Sequence, residues 1–169
     1  MNYLREKDDR CYELCKLQSR IFERSAKEGI PSTFFIKVYL NSKYSYLMDR
    51  LEIFNYEYGE ELIYRQVSSD VHMKRGTVIA PEIMSWIGYL LREWSYIYSL
   101  TCKQIVKAIP ISYIASVYPL YHSLSIKEAI IRIAESRSET KLITDPQKRM
   151  YDLAIKYYSK KPIRQRNLS

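Results

Sequence analysis

The sequence predicts an all-α fold, a compact multi-helix single domain around a central, aromatic-rich helix. Three observations predict it. Apolar residues recur at three- and four-residue steps along most of the chain, which is the period of one helix face. Helix start and stop signals punctuate those runs. Four glycines and six prolines among 169 residues are too few for a turn-rich β fold. A chain of this length buries a real core as one domain, here of roughly seven to nine helices.

The central element is predicted from Pro81 to Leu100. Ile83, Met84, Trp86, Ile87, Leu90, Leu91, Trp94, Ile97 and Tyr98 form its apolar face, and Pro81 suits a first helical position. Arg92 and Glu93 are the only charges in its middle, so neighbours are expected on more than one side. It is too polar and too short for a clean membrane span.

Before it, residues 4–28 read as an amphipathic helix carrying Cys11, Leu14, Cys15, Leu17, Ile21 and Phe22 inward. Gly29 and Pro31 end it. Ser32 or Thr33 is expected to cap a short helix from Phe34 to Leu40. The run FFIKVYL also suits a strand, but no partner strand with matching alternation exists, so helix is preferred. Lys43 to Phe54 continues as helix through Tyr44, Leu47, Met48, Leu51 and Phe54. Residues 55–67 are weakly helical, with Glu60 and Glu61 ahead of Arg65. Residues 68–80 read as a loop with a basic tip at Lys74 and Arg75, the longest connection and so the best internal place for a functional loop.

Beyond the central helix, Thr101 and Gln104 form a capping box and Pro110 stops the helix they open. An apolar segment, Ile111 to Tyr118, follows. Ser125 and Glu128 form a second capping box, opening a helix with Ile126, Ala129, Ile130, Ile133 and Ala134 inward. A polar connector leads to Asp145-Pro146, a cap followed by a first-position proline. Met150, Leu153, Ala154 and Tyr157 give the last helix a narrow apolar seam opposite a basic face. The chain divides into a helical core domain over 1–140, a basic C-terminal helix over 141–158 and a basic tail over 159–169.

The charge follows that division. Residues 141–169 hold eight basic side chains and two acids, a net +6 of the +8 total, which leaves +2 for the first 140 residues. A globally basic nucleic-acid face is therefore disfavoured, and a basic end is favoured. Seventeen tyrosines against four phenylalanines suggest rings at the core margin with hydroxyls in water. Cys11, Cys15 and Cys102 make no even disulfide framework and, without a second Cys/His pair, no zinc site. Cys11 and Cys15 share a helix face as small core residues. The opening residues MNYLREKDDR lack an apolar signal segment, so a cytoplasmic location is expected.

No catalytic motif stands in the chain: GxGxxG, GxxxxGK, HExxH and GxSxG are missing from the sequence. No enzyme activity and no cofactor are expected. A site assembled from scattered residues would have to draw on His72, His122 and Glu93. A helix-turn-helix over 102–109 and 111–118 is disfavoured, because the second segment carries Ile, Tyr, Ala and Val where base-reading polar groups are needed.

With these elements laid out, the order of Trp86 to Trp94, Thr101 to Ile109, Tyr118 to His122 and Ser125 to Ile133, with FFIKVYLNSKYSYLMD upstream, resembles small helical antitoxin-like or toxin-accessory proteins of low-GC bacteria. The two runs cover about half the chain. The resemblance implies a non-catalytic protein-binding module that occludes a partner toxin encoded nearby. Many antitoxins are acidic overall and this chain is basic at its end, so neutralisation would call for an acidic partner surface. The alternative is a small nucleic-acid-associated protein working through the basic end. Under either reading the expected contacts are Lys74, Arg75, Lys148, Arg149, Lys156, Lys160, Lys161, Arg164 and Arg166.

Overall fold

Two antiparallel helices, one from each half of the sequence, form the frame on which the other elements pack. The computed structural model describes residues 9–53, 59–69, 71 and 75–159, with the Tyr158 side chain excluded. Among these residues it has ten α-helices, one 3₁₀ turn and no strand: α1 Asp9–Lys27, α2 Ser32–Leu40, α3 Lys43–Asp49, α4 Glu60–Ser69, α5 Pro81–Tyr98, α6 Cys102–Ala108, α7 Ile111–Ser116, α8 Tyr118–Tyr121, α9 Ile126–Ser136, the 3₁₀ turn Thr140–Ile143 and α10 Pro146–Ser159.

The predicted central helix is α5, and it is enclosed. α1 lies along one side, while α3, α6, α7 and α9 touch the others. Of its residues only Glu82 is exposed, and Arg92 is fully buried. The α1–α5 contact owes its closeness to small residues. Ser19 Oγ lies 2.9 Å from the Ser85 carbonyl and 2.8 Å from Ser85 Oγ. A β-carbon added at Gly88 would stand 2.9 Å from the Gln18 carbonyl oxygen and 3.0 Å from Ser19 Cα. Those are backbone atoms of α1, which a rotamer change cannot move aside. The predicted inward set of α1 is buried throughout, joined by Gln18 and Ser25.

Local signals explain most boundaries. Gly29 ends α1 at φ +74°, with Gly29 N donating to Ala26 O and Ile30 N to Ser25 O, the paired bonds of a Schellman end. The same pairing closes α3 at Leu51 and α9 at Ser138, both non-glycine residues at positive φ. The Thr101–Gln104 capping box forms in both directions. At α9 the Ser125 hydroxyl accepts from Glu128 N at 3.2 Å. Asp145 Oδ1 accepts from Gln147 N at 2.8 Å, starting α10.

Four expectations are corrected. FFIKVYL is helical, but the cap position is Pro31, and Ser32 begins the helix. The Ser32 hydroxyl instead accepts from Ile79 N at 2.8 Å, while Ser32 N donates to Thr77 O at 3.0 Å. The segment after Arg75 is thereby strapped to the start of α2. The helix expected over Lys43 to Phe54 stops at Asp49, because Leu51 turns left-handed; Phe54 lies outside the described residues. Residues 68 and 69 extend α4, whose Glu60 and Glu61 pair with Arg20 at 2.8 Å and Arg24 at 2.5 Å on α1. Several tyrosines are core rather than margin. Tyr39, Tyr64 and Tyr96 are buried with hydroxyls bonded to Gln18, Glu28 and the Met48 carbonyl.

Residues 141–143 pack with the core: Trp94 Nε1 donates to the Leu142 carbonyl at 2.8 Å, and Leu142 is buried.

Gly88→Ala is expected to cost about 1–3 kcal/mol by pushing α1 and α5 apart, read as a lower urea midpoint. Ser138→Gly, relieving a left-handed serine, is expected to gain about 1 kcal/mol and to raise Tm in the same assay.

Candidate partner-binding surface

Two groups of side chains have the density of polar or apolar chemistry that a functional site needs. The first lies in the core. Arg92, fully buried on α5, donates through Nη1 to Asp49 Oδ1 at 2.6 Å and through Nε and Nη2 to Gln18 Oε1 at 3.0 and 2.8 Å. Gln18 Nε2 donates to the Gly88 carbonyl at 2.9 Å, and Tyr39 Oη donates to Gln18 Oε1 at 3.0 Å. Cys102 Sγ lies 3.4 Å from the Leu91 carbonyl. Burial works against the guanidinium charge. The surrounding thiol, phenols and Asp49 carboxylate more than offset it, so its pKa stays above the ordinary arginine value.

This cluster has the composition of an active site and the access of a core. Gln18, Tyr39, Arg92 and Cys102 are each fully buried. Burial pushes the Cys102 thiol up to about 11, away from the thiolate a nucleophile needs. Burial also drives the Tyr39 and Tyr96 hydroxyls upward. The cluster therefore joins α1, α2, α3, α5 and α6.

Among the described residues, His122 and Glu93 are not brought together. His72 lies outside the described residues. His122 is exposed, stacks on Tyr118 at 4.7 Å and places Nδ1 2.9 Å from the Tyr118 carbonyl. Tyr118 in turn packs edge-on against Trp86, about 10 Å along α5 from the buried Glu93.

The second group is α10. Among the described residues, the seam predicted from Met150, Leu153, Ala154 and Tyr157 is exposed rather than packed into the core. Met150, Tyr151, Leu153, Ile155 and Tyr157 are each more than half exposed, and they are half of the ten exposed large apolar side chains among the described residues. Tyr151 and Ile155 widen the seam to an apolar arc of about 200° at the helical period. Lys148, Arg149, Asp152 and Lys156 occupy the remainder. The helix is held at its root by the Asp145 cap and by the half-buried Arg149, whose Nη2 donates to the Tyr98 carbonyl at the C-terminal end of α5, where a cation meets the helix dipole favourably.

At that root the described residues line an open groove of about 550 Å³ between α6, the 3₁₀ turn and α10. Leu100, Ala108 and Leu142 give it apolar walls, and Lys107, Lys141 and Arg149 give it positive charge.

Of the basic residues expected as contacts, the structure describes four. Lys148, Arg149 and Lys156 share α10, with Lys148 and Lys156 exposed. Arg75 is exposed beside the strap on α2, toward the opposite end of α5. Lys74, Lys160, Lys161, Arg164 and Arg166 lie outside the described residues. Lys107 and Lys141 were not among the expected contacts. The signal for them is spatial: nothing in the sequence places 107 and 141 beside 149.

No family model, curated protein or solved structure matches this chain. No described helix is long and apolar enough to cross a membrane.

Arg92→Met is expected to cost about 3–5 kcal/mol, because Asp49 and Gln18 lose their buried partner; a urea midpoint near wild type would contradict this. Stability is also expected to fall on alkalinisation. The folded state holds protons on Cys102, Tyr39 and Tyr96 more tightly than the unfolded chain does. Their contribution is complete below about pH 9 and is lost as pH rises through about 11, the folded value of Cys102. Denaturation midpoints measured from pH 8 to 11.5 check this.

Proposed function

We propose that the chain is a non-catalytic protein-binding module, of the antitoxin or toxin-accessory kind, whose α10 enters a cleft of a partner protein and occludes it. The observation that carries this reading is the broad apolar arc of α10, whose Met150, Tyr151, Leu153, Ile155 and Tyr157 are each more than half exposed, on a helix anchored at its root through Arg149. An isolated helix of 14 residues is marginal in water, so such a helix gains most of its stability from what it packs against. Its arrangement matches helix-in-groove recognition, in which anchors at three- and four-residue steps fill a hydrophobic channel. Tyrosine and methionine suit such contacts by their large, adaptable apolar surface. The buried polar cluster supports the non-catalytic half of the reading, since its reactive groups are sealed from solvent.

The second reading, nucleic-acid binding, rests on Lys148, Arg149 and Lys156 lying on one side of α10. It uses only the narrower, charged part of the helix and leaves the apolar arc without a role.

The test is co-expression with the product of the neighbouring gene. The intact chain is expected to co-purify with it at stoichiometric ratio and to relieve any growth inhibition it causes. Leu153→Glu/Tyr157→Glu, changes at exposed positions, is expected to weaken the complex at least about 100-fold with little change in Tm. A complex that survives this substitution, or no complex at all, contradicts the proposal. Salt-sensitive nucleic-acid binding unaffected by it favours the second reading.

A further inference from the structure

We infer that the groove at the root of α10 is a receptor for carboxylates, so that the partner is an acidic protein presenting Asp or Glu side chains beside the cleft that takes α10. This rests on the α10 docking reading and adds the chemistry of the partner. Three cations from three separate elements converge on one concavity: Lys107 of α6, Lys141 of the 3₁₀ turn and Arg149 of α10. One acid, Glu139, answers Lys141 at 3.1 Å. Among the described residues no ion pair holds Lys107, and Arg149 spends its guanidinium on a backbone carbonyl rather than a carboxylate. The groove therefore keeps a net positive field over walls built from Leu100, Ala108 and Leu142. A positively charged concavity with low-dielectric walls concentrates field lines on an entering anion.

The charge of α10 extends the same field. Lys148 and Lys156 are exposed on its polar side, with Asp152 the only acid. A partner lying along the helix thus meets an apolar arc flanked by cations, ending in a cationic groove. Acidic groups around an apolar channel complement that pattern element by element. An anionic bilayer complements it less well: α10 could lie on such a surface, but a flat surface does not enter a groove at the helix root. A nucleic-acid backbone would fill the groove and leave the apolar arc in water.

The test uses the full chain and a fluorescein-labelled heptaglutamate peptide, read by fluorescence anisotropy at low and at moderate salt. Binding that weakens with salt is expected. Lys107→Glu/Lys141→Glu is expected to weaken it about tenfold or more. The milder Lys107→Gln/Lys141→Gln, with circular dichroism alongside, guards against a folding defect and is expected to give a smaller loss of the same sign. Equal binding by wild type and both lysine variants overturns the groove assignment. So does loss of binding in Lys160→Gln/Lys161→Gln alone, which would place the site on the tail. Tighter binding of single-stranded RNA or of phosphatidylserine vesicles than of the peptide, lost in the same groove variants, overturns the acidic-protein assignment. None of these outcomes touches the co-purification result for the α10 variants, so the two readings fail separately.

Discussion

A single buried cation holds the elements of this protein in register. Arg92 on α5 reaches Gln18 on α1 and Asp49 at the end of α3. Through Gln18 it engages the Tyr39 hydroxyl of α2, and the Asp49 carboxylate also lies 3.4 Å from the Cys102 backbone nitrogen that opens α6. A buried charge is tolerable only with its hydrogen bonds made, and its partners come from elements far apart in sequence. The arrangement therefore penalises every alternative packing in which α1, α3 and α5 are offset by a turn. Apolar stripes alone, which slide at little cost, do not impose this. The close approach at Gly88 works with it: Gln18 both lies beneath Gly88 and closes the hydrogen bond to its carbonyl.

That constraint also accounts for where function can reside. The core is fastened from within, with its thiol and the Tyr39 phenol fully buried. The broadest exposed apolar surface among the described residues is at the edge, on α10, with a cationic groove at its base. The division is one of roles: α5 and its neighbours fix Tyr98, Leu100 and Leu142, and these in turn fix the root of α10. Were α10 to dock as proposed, the ordering cost would fall mainly on that helix, because the described core beneath it is already in place.

Much of the fold was legible in the sequence because its signals are local. The α1 stripe, the Thr101–Gln104 box, the Gly29 end and the Asp145-Pro146 start each depend on residues within a turn of one another. The lone pair of charges in the middle of α5 pointed to a helix enclosed on several sides. Gln18 lies on the apolar face of α1, three residues from Cys15 and Ile21, and hydrophobic periodicity passes over it as a buried polar partner. The early end of α3 depends on a leucine adopting a left-handed conformation, for which Leu51 gives no local warning. The strap onto Ser32 joins positions 47 residues apart. The surface was harder still. The apolar residues of α10 read as a packing seam, since a seam and an unfilled anchor have the same pattern; only the packing around them distinguishes the two. The gathering of Lys107, Lys141 and Arg149 is a product of tertiary structure.

Native-state hydrogen exchange, resolved by residue, tests the central claim most directly: that a core fastened through Arg92 carries an independently exposed α10. Amides of α1 and α5 around Gln18 and Arg92 should exchange only through global unfolding, with the free energy measured by denaturant. Amides in the second half of α10 should exchange through local opening at a small fraction of that free energy. If α10 is protected to the global level, or if α1 and α5 open before it, the account of a fastened core and an unfilled docking helix is wrong.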